Sequence, residues 1–120
     1  MSKRKNPLKE MSFQRSSCPL ACALDVIGDK WSLLIVRDLF FGKHRFSEFQ
    51  SSDEGITTNI LAERLTRLER AGLVEKRLYQ KRPPRYEYHL SESGHALRPI
   101  LKTYVTWART HIPGTDASAE

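Results

Sequence analysis

The chain has 120 residues, of which 20 are Lys or Arg and 14 are Asp or Glu, so its formal net charge at pH 7 is +6. That length suits one domain, and no apolar run approaches the roughly 20 residues that a membrane-spanning helix needs. The basic N-terminus is not followed by the apolar stretch of a secretory signal. We therefore expect a cytoplasmic protein of one domain with no membrane partner.

The positive charge is concentrated in two segments. Residues 1–15 carry a net charge of +4, residues 56–90 carry another +4, and the remaining residues sum to −2. A charge excess held in short segments is typical of a surface that binds a polyanion. A solvated basic surface with no ligand would give the same pattern, so the charge alone leaves both interpretations open.

The cysteines and histidines do not form a metal or catalytic motif. Cys18 and Cys22 have C-x3-C spacing, unlike the C-x2-C of zinc sites, and the four histidines are scattered. No Ser or Cys has the context of a nucleophile elbow, and there is no glycine-rich phosphate loop. We expect no metal, no cofactor and no enzymatic activity.

The predicted elements begin after a polar arm. Residues 1–17 are basic and aperiodic, and residues 114–120 are polar, so we expect a flexible arm and a flexible tail around a domain at 18–113. Asp29 is a candidate N-cap and Gly42 a candidate helix end. Apolar residues at helical spacing predict three helices in the first half of the domain: Pro19–Ile27, Lys30–Phe41 and Phe46–Gln50.

The strongest helical periodicity in the chain predicts a helix over Thr57–Ala71. Leu61, Leu65 and Leu68 recur on one face, a threonine can cap the start, and Gly72 follows the end.

After this helix the apolar period changes from about 3.6 to 2. Two strands are predicted, Leu73–Tyr79 and Arg85–Leu90, joined by a basic tip at 80–84. A final helix is predicted over Glu92–His111, capped by the preceding serine, with a kink or restart at Pro99.

This order of elements predicts a mainly helical α+β fold, a winged helix-turn-helix with a two-stranded wing and a C-terminal dimerisation helix. In such a fold the periodic helix enters the major groove of double-stranded DNA. Opposite its leucines lie polar or small side chains able to contact base edges, or simply to face solvent; the candidates are Thr58, Asn59, Ala62, Glu63 and Thr66.

Long cations on the wing and at helix ends suit phosphate contacts, which add affinity without reading sequence. Arg64 differs, since it lies at the edge of the buried face and a structural salt bridge is as plausible as DNA contact. An alternative function is a winged-helix module that docks on protein or RNA. The candidates for contact with the DNA backbone are Arg45, Arg67, Arg70, Arg77, Lys81, Arg82 and Arg85.

Several stretches together resemble the HxlR-type transcriptional regulators. The resemblance covers Cys18 to Trp107 and implies a DNA-binding regulator that acts as a homodimer, through its terminal helices, on a roughly palindromic operator. The stretches that carry it are Cys18-Pro19, Ala23–Trp31, Arg45–Phe49, Leu61–Val74 and Pro83–Tyr88.

The apolar surface of the last helix also favours a homodimer, because a small three-helix core does not readily cover it. The alternative is that this helix folds back on its own core. The expected interface residues are Leu20, Leu97, Ile100, Leu101, Tyr104, Val105 and Trp107.

Cys18 is a candidate redox sensor. It precedes Pro19 at the start of a helix, where the helix dipole and the basic arm favour a reactive thiolate. The resemblance implies the same role, since some HxlR-type regulators sense electrophiles, quinones or oxidants at the matching cysteine. A packed, unreactive Cys18 is the alternative, and a small-molecule or oxidant effector is an open expectation.

Overall fold

The computed structural model describes residues 7–13 and 15–115. In this part of the chain a mainly helical body carries an antiparallel hairpin, as predicted. The elements are α1 (Pro7–Glu10), α2 (Pro19–Ile27), α3 (Ser32–Phe40), α4 (Phe46–Gln50), α5 (Thr58–Arg70), β1 (Val74–Gln80), β2 (Arg85–Leu90), α6 (Glu92–His95) and α7 (Arg98–His111).

The core lies where α3, α4 and α5 meet the base of the hairpin. The three leucines of α5 are each at most 1% exposed, which confirms the predicted buried face. They pack with Val36 from α3 and Phe49 from α4. Burial of this face fixes which side of α5 points to solvent.

Helix α3 starts two residues later than predicted. The Asp29 carboxylate accepts hydrogen bonds from the amides of Trp31 and Ser32, at 3.0 and 3.1 Å, and this bonding holds residues 29–31 in a turn ahead of the helix. Asp29 thus satisfies amides at the helix start, as expected of a capping residue. Gly42 follows the helix end with φ of 92°, a conformation that favours glycine.

The predicted last helix is two helices. Ser91 caps α6 by accepting a hydrogen bond from the Gly94 amide at 3.2 Å, and α7 restarts at Arg98. Pro99 lies in the first turn of α7, where its missing N–H has no helical partner to lose.

Part of the expected flexible arm is a helical turn packed on the domain. Leu8 of α1 lies against the core, and a Cβ built on Gly72 would come within 2.9 Å of Pro7 Cγ. Farther along, Arg15 forms an ion pair with Asp25 at 2.5 Å. A sequence of mixed polar residues without periodicity gave no signal for this turn. The basic residues 3–5 lie outside the described residues.

Candidate nucleic-acid interface

The solvent-facing side of α5 carries all five side chains expected to contact bases. We call this surface the reading face; every member is exposed, whereas the leucines opposite are buried. The Thr66 hydroxyl donates to the Ala62 carbonyl at 3.0 Å. The reading face consists of Thr58, Asn59, Ala62, Glu63 and Thr66.

Glu63 is engaged by neighbouring cations. Its carboxylate accepts a hydrogen bond from the Arg64 guanidinium and lies 3.7 Å from Arg67 Nε. Arg67, a candidate for phosphate contact, is itself partly exposed. Contact of Glu63 with a cytosine amino group would therefore replace its contact with one of these two arginines.

A short helix and a turn precede α5 and complete a helix-turn-helix. Gln50 Nε2 at the end of α4 donates to Thr58 Oγ1 at 2.9 Å, which ties the first helix to the start of the second. The Thr57 side chain accepts from the Ile60 amide, so Thr57 is the N-cap. At the start of α4, Glu48 accepts from the amides of His44 and Arg45, and these bonds, that from His44 foremost, lower the pKa of Glu48.

Arg64 makes the structural salt bridge considered from the sequence. Its Nε donates to Asp29 Oδ2 at 2.8 Å, joining α5 to the turn before α3. Burial raises the pKa of Asp29, but hydrogen bonds from Ser32, Arg64 and the Trp31 amide outweigh it and lower the pKa to about 2. This ionised carboxylate helps to fix the orientation of α5.

A second network fixes the turn before α5. The Arg37 guanidinium makes a two-pronged contact with Glu54, at 3.0 and 2.8 Å, and also donates to Asp38. The hydrogen bond to Glu54, opposed by burial, raises the pKa of Arg37. Ser52 donates to the buried Asp38 carboxylate at 2.6 Å and accepts from Lys43. These bonds attach the turn of the helix-turn-helix to α3.

The hairpin presents most of the cations expected to touch the DNA backbone. Arg77 is paired with Glu75 at 3.0 Å, whereas within the described residues Lys81, Arg82 and Arg85 form no ion pair. These three exposed cations lie at or beside the tip, and Arg70 is exposed at the end of α5. Arg70 lines one surface groove with Asn59, Glu63 and Thr66, so positive charge lies directly beside the reading face.

Arg45 is held against the hairpin. Its guanidinium lies 4.0 Å from the centre of the Tyr79 ring and 3.8 Å from the Glu87 carboxylate. His89 donates to Glu87 at 2.9 Å, which lowers the pKa of that carboxyl, and its ring stacks on His44 at 4.3 Å. The hairpin is thereby attached to the loop before α4.

The two thiols lie in different surroundings at the start of α2. Cys18 is the exposed N-cap residue, and its amide donates to the Ser16 hydroxyl at 2.9 Å. Cys22 is half-buried, and its thiol donates to the Ser16 carbonyl at 3.4 Å.

The residues expected at a dimer interface divide into two groups. Leu97 lies in the core, 8% exposed, and Leu101 and Val105 are half-buried where α7 faces α3, so these three are partly covered by their own chain. Leu97 was expected at the interface, but it lies between α6 and α7 and is buried with the core cluster. The exposed members are Leu20, Ile100, Tyr104 and Trp107.

We call the exposed apolar surface of α7 its outer face. Ile100, Tyr104 and Trp107 are 41%, 57% and 58% exposed and line one apolar groove with Pro99 and Thr103. Their spacing places them on one side of the helix.

Three threonine hydroxyls along α7 bond within the helix itself. Thr103 donates to the Pro99 carbonyl, Thr106 to that of Lys102 and Thr110 to that of Thr106, at 2.9 to 3.0 Å.

Sequence reasoning missed the side chains that set the orientation of α5. Asp29 was expected only as a cap, and Gln50, Arg37 and Glu54 were given no role. Each makes its contact with a residue eight or more positions away. Helical periodicity reports burial and carries no signal for such partners.

No helix among residues 7–13 and 15–115 is long and apolar enough to cross a membrane. In the same residues no three His, Cys, Asp or Glu side chains are grouped so that they could hold a metal ion.

Comparison with known proteins agrees with this geometry. Residues 26–116 match the HxlR-like helix-turn-helix family. The HTH-type transcriptional regulator YdeP of Bacillus subtilis is 34% identical over 116 residues, covering 97% of this chain and 91% of the relative.

Two solved structures of regulators superpose on most of the chain. The redox regulator HypR in its oxidised form has a TM-score of 0.71 and 37% identity, covering 78% of this chain and 97% of that one. The reduced form of the transcriptional regulator YodB from B. subtilis has a TM-score of 0.69 and 31% identity, covering 84% and 100%. Both carry the winged helix-turn-helix, as predicted here. The chain belongs to the HxlR-like helix-turn-helix family and is a transcriptional regulator.

Proposed function

We propose that the protein binds an operator in double-stranded DNA as a homodimer, with α5 in the major groove and the tip of the hairpin on the flanking backbone. The observation that carries this proposal is the reading face: five small or polar side chains exposed on a helix whose opposite side is buried. Two ion-pair networks hold that helix in place before DNA arrives. Such preorganisation favours binding because less order is lost on association.

The N-terminal side chains of the reading face supply sequence preference. Asn59 can pair bidentately with adenine, and Glu63 can accept from cytosine after release from its cations. Thr58 and Ala62 suit contact with a thymine methyl group. Arg67, with the wing cations, supplies phosphate contacts that are the same for any sequence.

Binding to duplexes selected from random-sequence DNA tests this assignment. Asn59→Ala should reduce the difference in binding free energy between selected and random duplex by about 1–3 kcal/mol. Arg82→Ala should weaken binding to the selected and the random duplex alike. It should also lower the slope of the logarithm of the binding constant against the logarithm of salt concentration by about one phosphate contact. Arg109→Ala, an exposed arginine near the end of α7, is the matched control and should change neither. Equal affinity for selected and random duplex would contradict an operator and favour a module that docks on protein or RNA.

The homodimer is proposed to form through the outer face of α7, with Leu20 of α2 as a further exposed apolar contact. A twofold dimer would place two α5 helices about 34–36 Å apart, one turn of DNA. Trp107→Glu should give a monomer in sedimentation equilibrium at micromolar concentration. Leu78→Glu changes an apolar residue on the wing that is about half exposed and should leave the dimer intact. A dimer in both variants would place the interface elsewhere.

We further propose that oxidation of Cys18 alters DNA binding. HypR is named a redox regulator, and Cys18 here is exposed at the start of α2. Oxidation would join the Cys18 sulfur to the sulfur of a thiol outside its own chain, either Cys18 of a second copy or a small thiol, and transfer two electrons and two protons to the oxidant. Cys18→Ser should abolish any effect of diamide on operator binding, while Cys22→Ser should retain it. A diamide response that survives in Cys18→Ser would exclude this role.

A further inference from the structure

A cleft separates α7 from the rest of the domain. Its volume is about 640 Å³, within the range of small-molecule sites. One wall comes from the end of α2 and from α3. The other is α7, which contributes mainly the side opposite its outer face, together with Tyr104 of the outer face. Its lining is largely apolar, with Leu33, Phe40, Phe41, Leu101 and Val105 as the main hydrophobic side chains.

The polar residues of the cleft leave an excess of positive charge. Lys30, Arg98 and Lys102 line it and form no ion pair within the described part of the chain. The remaining cation, Arg37, is neutralised by Glu54 and Asp38 outside the cleft.

Among the described residues, Asp29 is the one carboxylate that lines the cleft, and it already accepts hydrogen bonds from its own chain. Both oxygens of Asp29 are engaged, one by the Ser32 hydroxyl and the other by Arg64. The Arg98 guanidinium lies against the Phe40 ring, 5.6 Å from its centre. A cation without an ion-pair partner is therefore in contact with the apolar wall of the cleft. An apolar cleft with unpaired cations at its edge is complementary to a molecule with an apolar body and one negative group.

We propose that this cleft binds a small amphipathic organic anion, such as an aromatic carboxylate, and that the bound anion changes affinity for DNA. This inference rests on the proposed operator binding and adds the chemistry and place of an effector.

The physical coupling follows from what the two walls are attached to. The α3 wall is joined to α5 through the ion pair between Arg64 of α5 and Asp29 in the turn before α3, so a shift of α3 would be passed to α5. Helix α7 has no fully buried residue and carries the outer face proposed for dimerisation. A ligand wedged between the walls would change the angle between α7 and the body, and hence the distance between the two recognition helices of a dimer.

Binding is tested on the full-length dimer by calorimetry with 2-naphthoate and its neutral analogue 2-naphthamide. We expect 2-naphthoate to bind about tenfold more tightly, the factor typical of one charged hydrogen bond. The double variant Lys30→Glu, Lys102→Glu should remove that preference. The double variant Lys81→Glu, Arg82→Glu, with the same change of charge at the wing tip, should retain it.

Equal affinity for the two probes, or a preference unchanged in the double variant, would overturn the site. A second copy of the chain is the other occupant to consider. If Leu24→Cys on α2 crosslinks to Val105→Cys of another subunit and neither probe binds, the cleft is a subunit interface and the proposal is wrong.

The effector role is measured separately, as operator affinity with and without saturating 2-naphthoate. A change of about fivefold or more, absent in the double variant, is expected for a coupled site. Binding of the probe without any change in operator affinity would overturn the effector role. A chain that binds 2-naphthoate but shows no DNA preference would instead refute the proposed function and leave the cleft standing.

Discussion

Asp29→Asn tests whether one carboxylate fixes the recognition helix. The pKa of Asp29 falls from 3.8 to about 2 in the folded protein, and its side chain is only 19% exposed. A shift of that size corresponds to about 2 kcal/mol of folding free energy at neutral pH. Asn keeps the shape and one acceptor oxygen but loses the charge opposite Arg64. We expect Asp29→Asn to lower the free energy of unfolding by about 2 kcal/mol at pH 7.

The pH dependence gives a second, independent readout. Because the folded pKa lies below the unfolded one, the contribution is full above the unfolded value of 3.8 and is lost as pH falls through about 2. The difference in unfolding free energy between wild type and Asp29→Asn should therefore shrink to about 1 kcal/mol at pH 3. Urea unfolding at fixed protein concentration measures both values, since the stability of the proposed dimer would depend on concentration.

Glu63→Gln is the matched control. Glu63 also contacts Arg64, but its side chain is 49% exposed, and exposed pairs contribute about 0–1 kcal/mol. Equal losses in the two variants, or a loss in Asp29→Asn that does not change between pH 7 and pH 3, would refute the reasoning.

Three further predictions concern packing, backbone and capping. Leu65→Ala, at a site 1% exposed, should destabilise the protein by about 3 kcal/mol in urea unfolding, and a loss below about 1 would contradict the described core. Gly72→Ala places a Cβ at φ of 76° and within 2.9 Å of Pro7, so it should lower the free energy of unfolding by more than about 1 kcal/mol. Gly55→Ala, with φ of 69° in open space, should lower it by less. The reverse order would show that Pro7 does not lie against Gly72. Ser91→Ala removes a donor to the Gly72 carbonyl and the cap of α6, so thermal unfolding should report a loss of about 1 kcal/mol, and an unchanged midpoint would exclude the cap.

Features set by local chemistry could be predicted from the sequence. The bounds of α2 and of β2 agree with the predicted ranges, and the leucine spacing identified both the buried and the exposed sides of α5. The serine before α6 and Pro99 marked the start of one helix and the restart of another. These signals work because capping, periodicity and the missing proline donor act within one or two turns.

Features set by distant partners could not be predicted. Arg64 and Asp29 are 35 positions apart, and Arg37 and Glu54 are 17 apart, so no local pattern links them. The turn at Pro7–Glu10 packs its proline ring against Gly72, a contact between distant positions that only the folded structure reveals. The same limit explains why Leu97 was expected at an interface and lies in the core.

The threonines of α7 affect the free-energy cost of removing water from that helix. A hydroxyl that loses its water without another partner costs about 1–3 kcal/mol. Thr103, Thr106 and Thr110 already donate to carbonyls of their own helix, so excluding water from α7 leaves none of these donors unsatisfied. The three threonine hydroxyls therefore add little to the free-energy cost of removing water from α7, and Thr103→Val should change that cost far less than the loss of a hydroxyl suggests.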